Sequence, residues 1–244
     1  FVYASGSSGR MRDQNGKRYR GLGSHVTISR IFSPDVRIYP LTDAKMSGLS
    51  HAEQVRRLSL GGASLVQLRE KHMTPRKFFR EAEEALIVAR RQGVQIIIND
   101  RVDFALALKA DGVHLGQDDL PADAARRVLG DKAIIGLSTH SVQQAINAVR
   151  LPVDYVAIGP IFETSSKSNP ASVVGLEGLR KVREAIGQID LVAIGGITPE
   201  NAGQVLEAGA DAVALIFALL AAPNAIAERT RNLVYRLSSP PEAG

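Results

Sequence analysis

A group of charged and polar residues near position 70 has the types and the spacing to bind an anion. It reads Gln67-Leu68-Arg69-Glu70-Lys71 and follows directly after a short apolar stretch. In an extended segment successive side chains alternate between two faces, so Gln67, Arg69 and Lys71 share one face. Leu68 and Glu70 then point to the other face. Two cations and an amide on one face suit a dianionic ligand such as a diphosphate, although a solvated strand end would explain an isolated pair of cations.

Two carboxylates follow the next two apolar stretches. Asp100 comes directly after Asn99, and Asp119 comes directly after Asp118. Mg²⁺ binds one or two protein carboxylates and completes its shell with water and phosphate oxygens. Because cations suited to a diphosphate precede them, Asp100 and Asp119 are the predicted Mg²⁺ ligands. Asp118 suits helix capping or an outer-shell role better, and either predicted ligand by itself could equally be an N-cap.

The fifth apolar stretch leads into a hydroxyl and an imidazole, in the segment Ser138-Thr139-His140. No carboxylate is paired with them to complete a Ser-His-Asp triad, so hydrolysis through a serine nucleophile is unsupported. Ser138 is therefore predicted to donate a hydrogen bond to a substrate or a phosphate. His140 is predicted to cap a helix or to line the rim of the site.

A second anion-binding group is predicted further along the chain. Thr164, Ser166 and Lys167 lie in a long loop that begins at Gly159, and they offer two hydroxyls and a cation. After the next apolar stretch, a glycine pair ending in Gly196 lets the backbone approach an anion closely. Two phosphorylated groups that meet in one pocket indicate a coupling reaction rather than a hydrolysis.

The polar groups are positioned by short apolar stretches that alternate with amphipathic segments. The predicted strands are Arg37–Thr42, Ser64–Arg69, Gln95–Asn99, Gly112–Leu115, Ala133–Ser138, Tyr155–Gly159, Leu191–Gly195 and Ala212–Phe217. The predicted helices are Ser50–Gly61, Thr74–Gly93, Arg101–Leu108, Pro121–Leu129, Ser141–Arg150, Leu176–Ile186, Pro199–Ala208 and Pro223–Leu237. Eight strand–helix repeats in about 200 residues predict an α/β fold, a (β/α)₈ TIM barrel with its site at the carboxyl ends of the strands. A doubly wound open sheet is the alternative, but no G-x-G-x-x-G motif follows the first strand.

The distribution of charge argues against a nucleic-acid partner. The chain of 244 residues has 30 Lys and Arg against 25 Asp and Glu, a formal charge of +5. Residues 1–34 hold six of the bases and one of the acids, so the remainder has 24 of each and is neutral. Cysteine is absent, which excludes disulfides, thiolate metal sites and a cysteine nucleophile.

The chain is expected to form a single barrel domain over residues 35–238. Residues 1–34, rich in Gly, Ser and Arg, are expected to be a disordered extension, and 239–244 a tail. The longest apolar run, Ala212–Ala222, is shorter than the roughly 18 residues that a membrane span needs, so no membrane partner is expected. A cytoplasmic location is expected, with organellar import by the extension and homo-oligomerisation left open.

The motifs together resemble one family, the thiamine phosphate synthases, over about Arg37 to Leu220. The motifs that carry the resemblance are Gln67-Leu68-Arg69-Glu70-Lys71, Asn99-Asp100-Arg101, Gly112-Val113-His114-Leu115-Gly116-Gln117-Asp118-Asp119-Leu120-Pro121, Gly136-Leu137-Ser138, Gly159-Pro160-Ile161-Phe162 and Ile194-Gly195-Gly196-Ile197. The resemblance implies a Mg²⁺-dependent transferase. Such an enzyme couples 4-amino-2-methyl-5-hydroxymethylpyrimidine diphosphate with 4-methyl-5-(2-phosphoethyl)thiazole or its carboxylate, and releases thiamine phosphate and diphosphate.

The resemblance also implies a role for each matching residue. The residues implied to hold the pyrimidine diphosphate are Gln67, Leu68, Arg69, Glu70, Lys71, Asn99, Ser138 and Lys167. The residues implied to surround the thiazole phosphate are Thr164, Ser165, Ser166, Gly196, Ile216 and Phe217. Asp100 and Asp119 are implied to hold Mg²⁺. Catalysis is implied to depend on Arg69, Lys71, Ser138 and Lys167.

One position departs from the family pattern and keeps alternatives open. Phe217 stands where the family usually has serine, which removes a hydroxyl from the thiazole-phosphate pocket and adds bulk. One alternative function is the related thiazole tautomerase, for which His140 is the residue of interest. A non-catalytic thiamine-phosphate-binding protein is another alternative. The complete set of Arg69, Lys71, Asp100 and Asp119 favours the synthase, because isomerising a thiazole needs no diphosphate site.

Overall fold

A computed structural model describes residues 30–163 and 172–238, together with two short strands near the amino terminus. These two strands, Met11–Arg12 and Arg18–Tyr19, pair in the antiparallel sense. The chain divides into two compact units, Phe1–Arg30 and Ile31–Gly244. Most of the extension that was predicted to be disordered lies outside the described residues, and so does the predicted tail.

The larger unit contains eight parallel strands, as the sequence predicts. They are β1 (Ile38–Pro40), β2 (Leu65–Leu68), β3 (Gln95–Asn99), β4 (Gly112–Leu115), β5 (Ile134–Thr139), β6 (Tyr155–Ile158), β7 (Asp190–Ile194) and β8 (Ala212–Leu215). Each strand pairs with its neighbour in the chain from β2 to β8, and β8 pairs with β1. At the remaining seam the backbone N–H of Thr42 donates to the carbonyl of Gln67 at 2.9 Å. The sheet is therefore a nearly closed (β/α)₈ barrel, and the predicted fold is confirmed.

Helices follow the strands and cover the outside of the sheet. They are α1 (Ala44–Ser47), α2 (His51–Leu60), α3 (Pro75–Gln92), α4 (Val102–Leu108), α5 (Ala122–Leu129), α6 (Val142–Ala148), α7 (Gly175–Ile186), α8 (Ala202–Glu207), α9 (Phe217–Leu220) and α10 (Ile226–Ser238), with a 3₁₀ turn at Pro223–Ala225. Local chemistry sets several of the starts. Pro75 occupies the first turn of α3, and the hydroxyl of Ser141 accepts from the backbone N–H of Gln144 to cap α6 at 3.2 Å. In the described ranges, no helix has both the length and the apolar character needed to cross a membrane.

The sequence-based end of the eighth strand was wrong. The predicted strand runs to Phe217, whereas β8 ends at Leu215 and Phe217 begins α9. A continuous apolar run does not by itself separate a strand from a helix. The residues after Ile216 are Phe-Ala-Leu-Leu. Alanine and leucine are strong helix formers, so this part of the apolar run forms a helix.

Both faces of the sheet are apolar because helices cover one face and the opposite strands cover the other. In β3, Ile96 and Ile98 belong to the core between the sheet and the helices, whereas Ile97 belongs to the core inside the barrel. In β2, Leu68 likewise packs towards the helices, and Leu65 faces the interior. This alternation explains why the strands read as continuous apolar runs in the sequence.

The barrel begins earlier in the chain than the sequence suggests. The backbone N–H groups of Ile31 and Phe32 donate to Asp190 Oδ2 at 2.7 and 3.1 Å. The Phe32 ring is buried in the barrel interior, with its centroid 5.5 Å from the ring centroids of both Tyr39 and Tyr155. The predicted boundary after residue 34 therefore lies inside the larger unit. Ile31 and Phe32 form too short an apolar stretch to give a periodic signal.

Candidate active site

The end of β2 places its alternate side chains on opposite faces of the sheet. Gln67 is 2% exposed, and its amide nitrogen donates to the hydroxyl of Tyr39 at 3.1 Å inside the barrel. Leu68 is fully buried in the core between the sheet and the helices. Of these two predicted substrate residues, only Gln67 therefore directs its side chain to the interior beneath the mouth, and the Leu68 side chain faces away from it.

The two cations after β2 are both paired with carboxylates. Arg69 Nη1 donates to Asp43 Oδ2 at 3.2 Å, and its backbone N–H donates to the hydroxyl of Thr42 at 3.1 Å. Lys71 Nζ forms a short ion pair with Asp100. The structure therefore brings Lys71 to a predicted metal ligand. Asp43, which follows β1, is a partner of Arg69 that sequence reasoning missed.

Glu70 stabilises the loop after β2 and turns away from the mouth. Its carboxylate accepts from the backbone N–H groups of His72 at 2.5 Å and Met73 at 3.1 Å, and lies 3.3 Å from Nε2 of the buried His51. Burial opposes ionisation, but these two amides and His51 together lower the pKa of Glu70 below its ordinary value. The side chain of Glu70 is therefore a loop anchor, with its carboxylate on the face opposite to Arg69 and Lys71.

Asp100 and Asp119 come together at the ends of β3 and β4. The backbone of Asp100 is left-handed, at φ 63°, and its N–H donates to the carbonyl of His114 at 2.8 Å. Asp119 Oδ2 accepts from the backbone N–H of Gly116 at 2.7 Å. Burial, and then the negative charge of Asp100, raises the pKa of Asp119 above its ordinary value. The structure thus places two mutually repelling carboxylates next to one lysine, whereas Asp118 is exposed.

Two further features of this region bear on ligand binding. Asn99 is nearly buried, and its side chain has no hydrogen-bond partner within residues 30–163 and 172–238. The same ranges contain no group of three or more His, Cys, Asp or Glu side chains placed to hold a metal ion. A metal at Asp100 and Asp119 would therefore take most of its ligands from water and substrate, as Mg²⁺ does.

Ser138 and His140 at the end of β5 have different environments. Ser138 Oγ lies 2.8 Å from Nε2 of His114, a buried residue on β4. His140 Nδ1 donates to the carbonyl of Gly159 at 2.6 Å, so His140 ties the end of β5 to the segment after β6. His114 was missed as a site residue. Because both faces of this strand are buried, its apolar neighbours Val113 and Leu115 do not show which face His114 occupies.

The glycine pair after β7 packs directly against the segment after β6. The backbone N–H of Phe162 donates to the carbonyl of Gly195 at 3.0 Å. Gly196 has φ 65°, and a Cβ atom there would lie 2.6 Å from the carbonyl oxygen of Glu163. Glycine is therefore required at this position both for its conformation and for the close approach.

The remaining predicted residues are only partly accounted for. Ile216 is half-buried, and Phe217, at the start of α9, is 67% exposed. Thr164, Ser165, Ser166 and Lys167 lie outside the described residues. The described segment ends at Glu163, beside Gly196, so those four residues follow in the chain from a point next to the predicted phosphate site.

Comparisons with known proteins agree on one family. The family described as thiamine monophosphate synthase matches residues 38–219. The thiamine-phosphate synthase of Chloroflexus aurantiacus is 47% identical over 203 residues, which cover 82% of this chain and 93% of that protein. The thiamine-phosphate synthase of Clostridium novyi is 45% identical over 185 residues, which cover 75% and 90%. A solved structure, the thiamine phosphate pyrophosphorylase from Pyrococcus furiosus, aligns with a TM-score of 0.74 and 35% identity, covering 84% of this chain and 98% of that one. The chain belongs to the thiamine monophosphate synthase family.

Proposed function

We propose that this protein is a thiamine phosphate synthase, a transferase of thiamine biosynthesis. It couples 4-amino-2-methyl-5-hydroxymethylpyrimidine diphosphate with 4-methyl-5-(2-phosphoethyl)thiazole and releases thiamine phosphate and diphosphate. When the thiazole carboxylate is the acceptor, CO₂ is released as well. Family membership supports the reaction. The observation that carries the proposal is the meeting of Lys71, Asp100 and Asp119 at neighbouring strand ends.

The paired carboxylates fit a divalent cation. Burial and the nearby charge of Asp100 both raise the pKa of Asp119, and a cation held by the two carboxylates would offset both effects. Oxygen ligands of this kind suit Mg²⁺, which commonly takes one or two carboxylates together with substrate phosphates. We therefore assign Asp100 and Asp119 as its ligands. When bound, Mg²⁺ supplies positive charge against the diphosphate.

The chemistry requires charge stabilisation and no enzyme nucleophile. The bond between the pyrimidine methylene and the diphosphate oxygen breaks, and its electron pair leaves with the diphosphate. Arg69, Lys71 and Lys167 stabilise that growing negative charge. The electron-rich aminopyrimidine stabilises the methylene cation, and the lone pair of the thiazole nitrogen forms the new carbon–nitrogen bond. Asn99 and Gln67 orient the pyrimidine, so this site operates by positioning.

The second pole of the mouth is proposed to hold the thiazole phosphate. Backbone N–H groups near Gly196 and near Ile216 follow β7 and β8, the strands after which barrels often bind phosphate. The hydroxyl residues Thr164, Ser165 and Ser166 continue the chain from Glu163. Phe217 offers no hydroxyl to the phosphate, so binding there depends more on backbone N–H groups.

A coupling assay with the purified protein tests the proposal. We expect thiamine phosphate from the two substrates in the presence of Mg²⁺, and none after chelation. Asp100→Asn should lower turnover by roughly 100-fold or more, as loss of a metal ligand does, while Asp118→Asn, an exposed neighbour, should stay within about twofold. No product with Mg²⁺ would refute the synthase, and isomerisation of the thiazole carboxylate instead would identify a tautomerase. A cytoplasmic location and self-association stay predictions.

A further inference from the structure

Beneath the mouth, five side chains form one continuous chain of hydrogen bonds across the barrel interior. Their order is Gln67, Tyr39, Tyr155, His114 and Ser138, and they come from β2, β1, β6, β4 and β5. The successive distances are 3.1 Å, 2.9 Å, 2.8 Å and 2.8 Å. These hydrogen bonds connect Gln67 and Ser138, two residues of the proposed pyrimidine site, through Tyr39, Tyr155 and His114, which have no role in the proposed reaction.

The protons in this chain run in one direction. The Gln67 amide nitrogen can only donate, so the Tyr39 oxygen accepts from it. Tyr39 therefore donates its own hydroxyl proton to the Tyr155 oxygen. Tyr155 in turn donates to Nδ1 of His114. The opposite order would leave the buried hydroxyl proton of Tyr39 without an acceptor among the described residues, which is costly.

This direction fixes the tautomer of the histidine. With Nδ1 of His114 accepting from Tyr155, the imidazole proton sits on Nε2 and is donated to Ser138 Oγ. Ser138 then keeps its own hydroxyl proton for another acceptor. Burial raises the pKa of both Tyr39 and Tyr155 above the ordinary value for tyrosine, so both phenols remain protonated donors at neutral pH.

Packing fixes the Tyr155 hydroxyl independently of any ligand. The ring is fully buried, stacks on His114 with centroids 5.5 Å apart, and meets the Tyr39 ring edge-on at 5.8 Å. Gly136 on β5 leaves room for it, since a Cβ atom there would lie 2.4 Å from the Tyr155 oxygen. Tyr155 is thus held in place by its neighbours on several sides before substrate arrives.

We propose that Tyr155 is a positioning residue that acts through His114 to make Ser138 an obligatory hydrogen-bond donor towards an acceptor atom, such as a ring nitrogen, of the pyrimidine substrate. The inference rests on the proposed function, because it assumes that the pyrimidine lies over Ser138. Tyr155 does not touch the substrate. Its effect is to exclude the tautomer in which Ser138 would have to donate to the histidine and face the substrate as an acceptor.

The first test is spectroscopic and needs no substrate. Nitrogen-15 NMR of the histidine side chains, with His114→Gln used to assign the signal, reports which nitrogen of His114 carries the proton. We expect the proton on Nε2 in the unaltered protein, and a mixture of tautomers in Tyr155→Phe. A proton on Nδ1 in the unaltered protein would overturn the inference whatever the protein catalyses, so its failure is distinguishable from failure of the coupling assay.

The second test separates positioning from general structural damage. Tyr155→Phe keeps the ring and removes only the hydroxyl. We expect the KM for the pyrimidine diphosphate to rise about tenfold, the effect of one weakened hydrogen bond, with the KM for the thiazole phosphate unchanged. Tyr235→Phe, at a 76% exposed tyrosine, is the matched control and should change neither. Equal increases in both KM values, or no increase in either, would contradict the positioning role of Tyr155.

Discussion

Phe32 closes the end of the barrel opposite to the mouth, and its removal should destabilise the protein strongly. Its side chain is only 1% exposed, and it packs edge-on against Tyr39 and Tyr155. The neighbouring backbone amides bind Asp190 at the start of β7. Because those bonds come from the main chain, Phe32→Ala preserves them and isolates the contribution of the ring.

We expect Phe32→Ala to lower the free energy of unfolding by an amount near the top of the range for such substitutions. Replacing a buried phenylalanine by alanine costs about 3–5 kcal/mol, and the cost is greatest where the surroundings cannot collapse into the cavity. Here the nearest rings are tethered, since the hydroxyls of Tyr39 and Tyr155 bond to each other and to their neighbours. We therefore expect about 4–5 kcal/mol. For a domain of this size that lowers Tm by roughly 8–20 °C.

Denaturant unfolding, followed by circular dichroism, measures this loss against a matched control. Phe217→Ala makes the same substitution at a 67% exposed position and should change the free energy of unfolding by less than about 0.5 kcal/mol. A chain that begins at Asp35 should be less stable than Phe32→Ala, because it also loses both amide donors to Asp190. A loss below about 1 kcal/mol for Phe32→Ala, or equal losses for both alanine variants, would refute the reasoning.

Three further predictions concern the mouth and the loop after β2. Phe217→Ser should lower the KM for the thiazole phosphate in the coupling assay, since it restores a hydroxyl and removes bulk; an unchanged or higher KM would show that the phenylalanine is accommodated. Gly196→Ala should raise the same KM at least tenfold, because its Cβ would lie 2.6 Å from the Glu163 carbonyl oxygen. A KM equal to that of the unaltered protein would contradict this. Burial lowers the pKa of His51 below its ordinary value of 6.5, so the unfolded chain takes up the proton first and stability should fall as the pH drops below about 6.5. In denaturant titrations across that pH range, His51→Gln should flatten this part of the profile.

The architecture was readable from the sequence because its physical signals are local and repeated. Strands buried on both faces give continuous apolar runs, and the bounds predicted for Gln95–Asn99 and Gly112–Leu115 agree with the structure. The polar residues that interrupt each run mark the carboxyl ends of the strands. Once the barrel is assumed, those ends must meet, and this is how Lys71, Asp100 and Asp119 could be grouped before any distance was known.

What the sequence did not reveal depends on contacts between distant positions. Alternation places Glu70 opposite to Arg69, but only the fold shows that its carboxylate is used by the backbone of the next residues and by His51. The sequence around Phe32 does not indicate that it is buried, because its contribution depends on packing against Tyr39 and Tyr155, which are distant in the chain. The hydrogen-bonded chain through Tyr155 was missed for the same reason, because an isolated tyrosine in an apolar strand reads as ordinary core.

The charges at the mouth imply that metal and diphosphate bind interdependently in the proposed enzyme. Before substrate arrives, Arg69 is paired with Asp43 and Lys71 with Asp100, so a diphosphate has to compete with a carboxylate for each cation. Release of Lys71 would leave Asp100 next to the charge of Asp119 without a compensating cation, so a second positive charge at this place would favour the release. A divalent cation held by Asp100 and Asp119 would supply that charge, and Lys71 would then be available to the diphosphate. By linkage, diphosphate must strengthen metal binding by the same factor. Lys71→Met removes the competing cation, so it should tighten the metal in the absence of diphosphate while weakening it in its presence, and calorimetric titration of Mg²⁺ would show both effects; a uniform change would contradict this exchange.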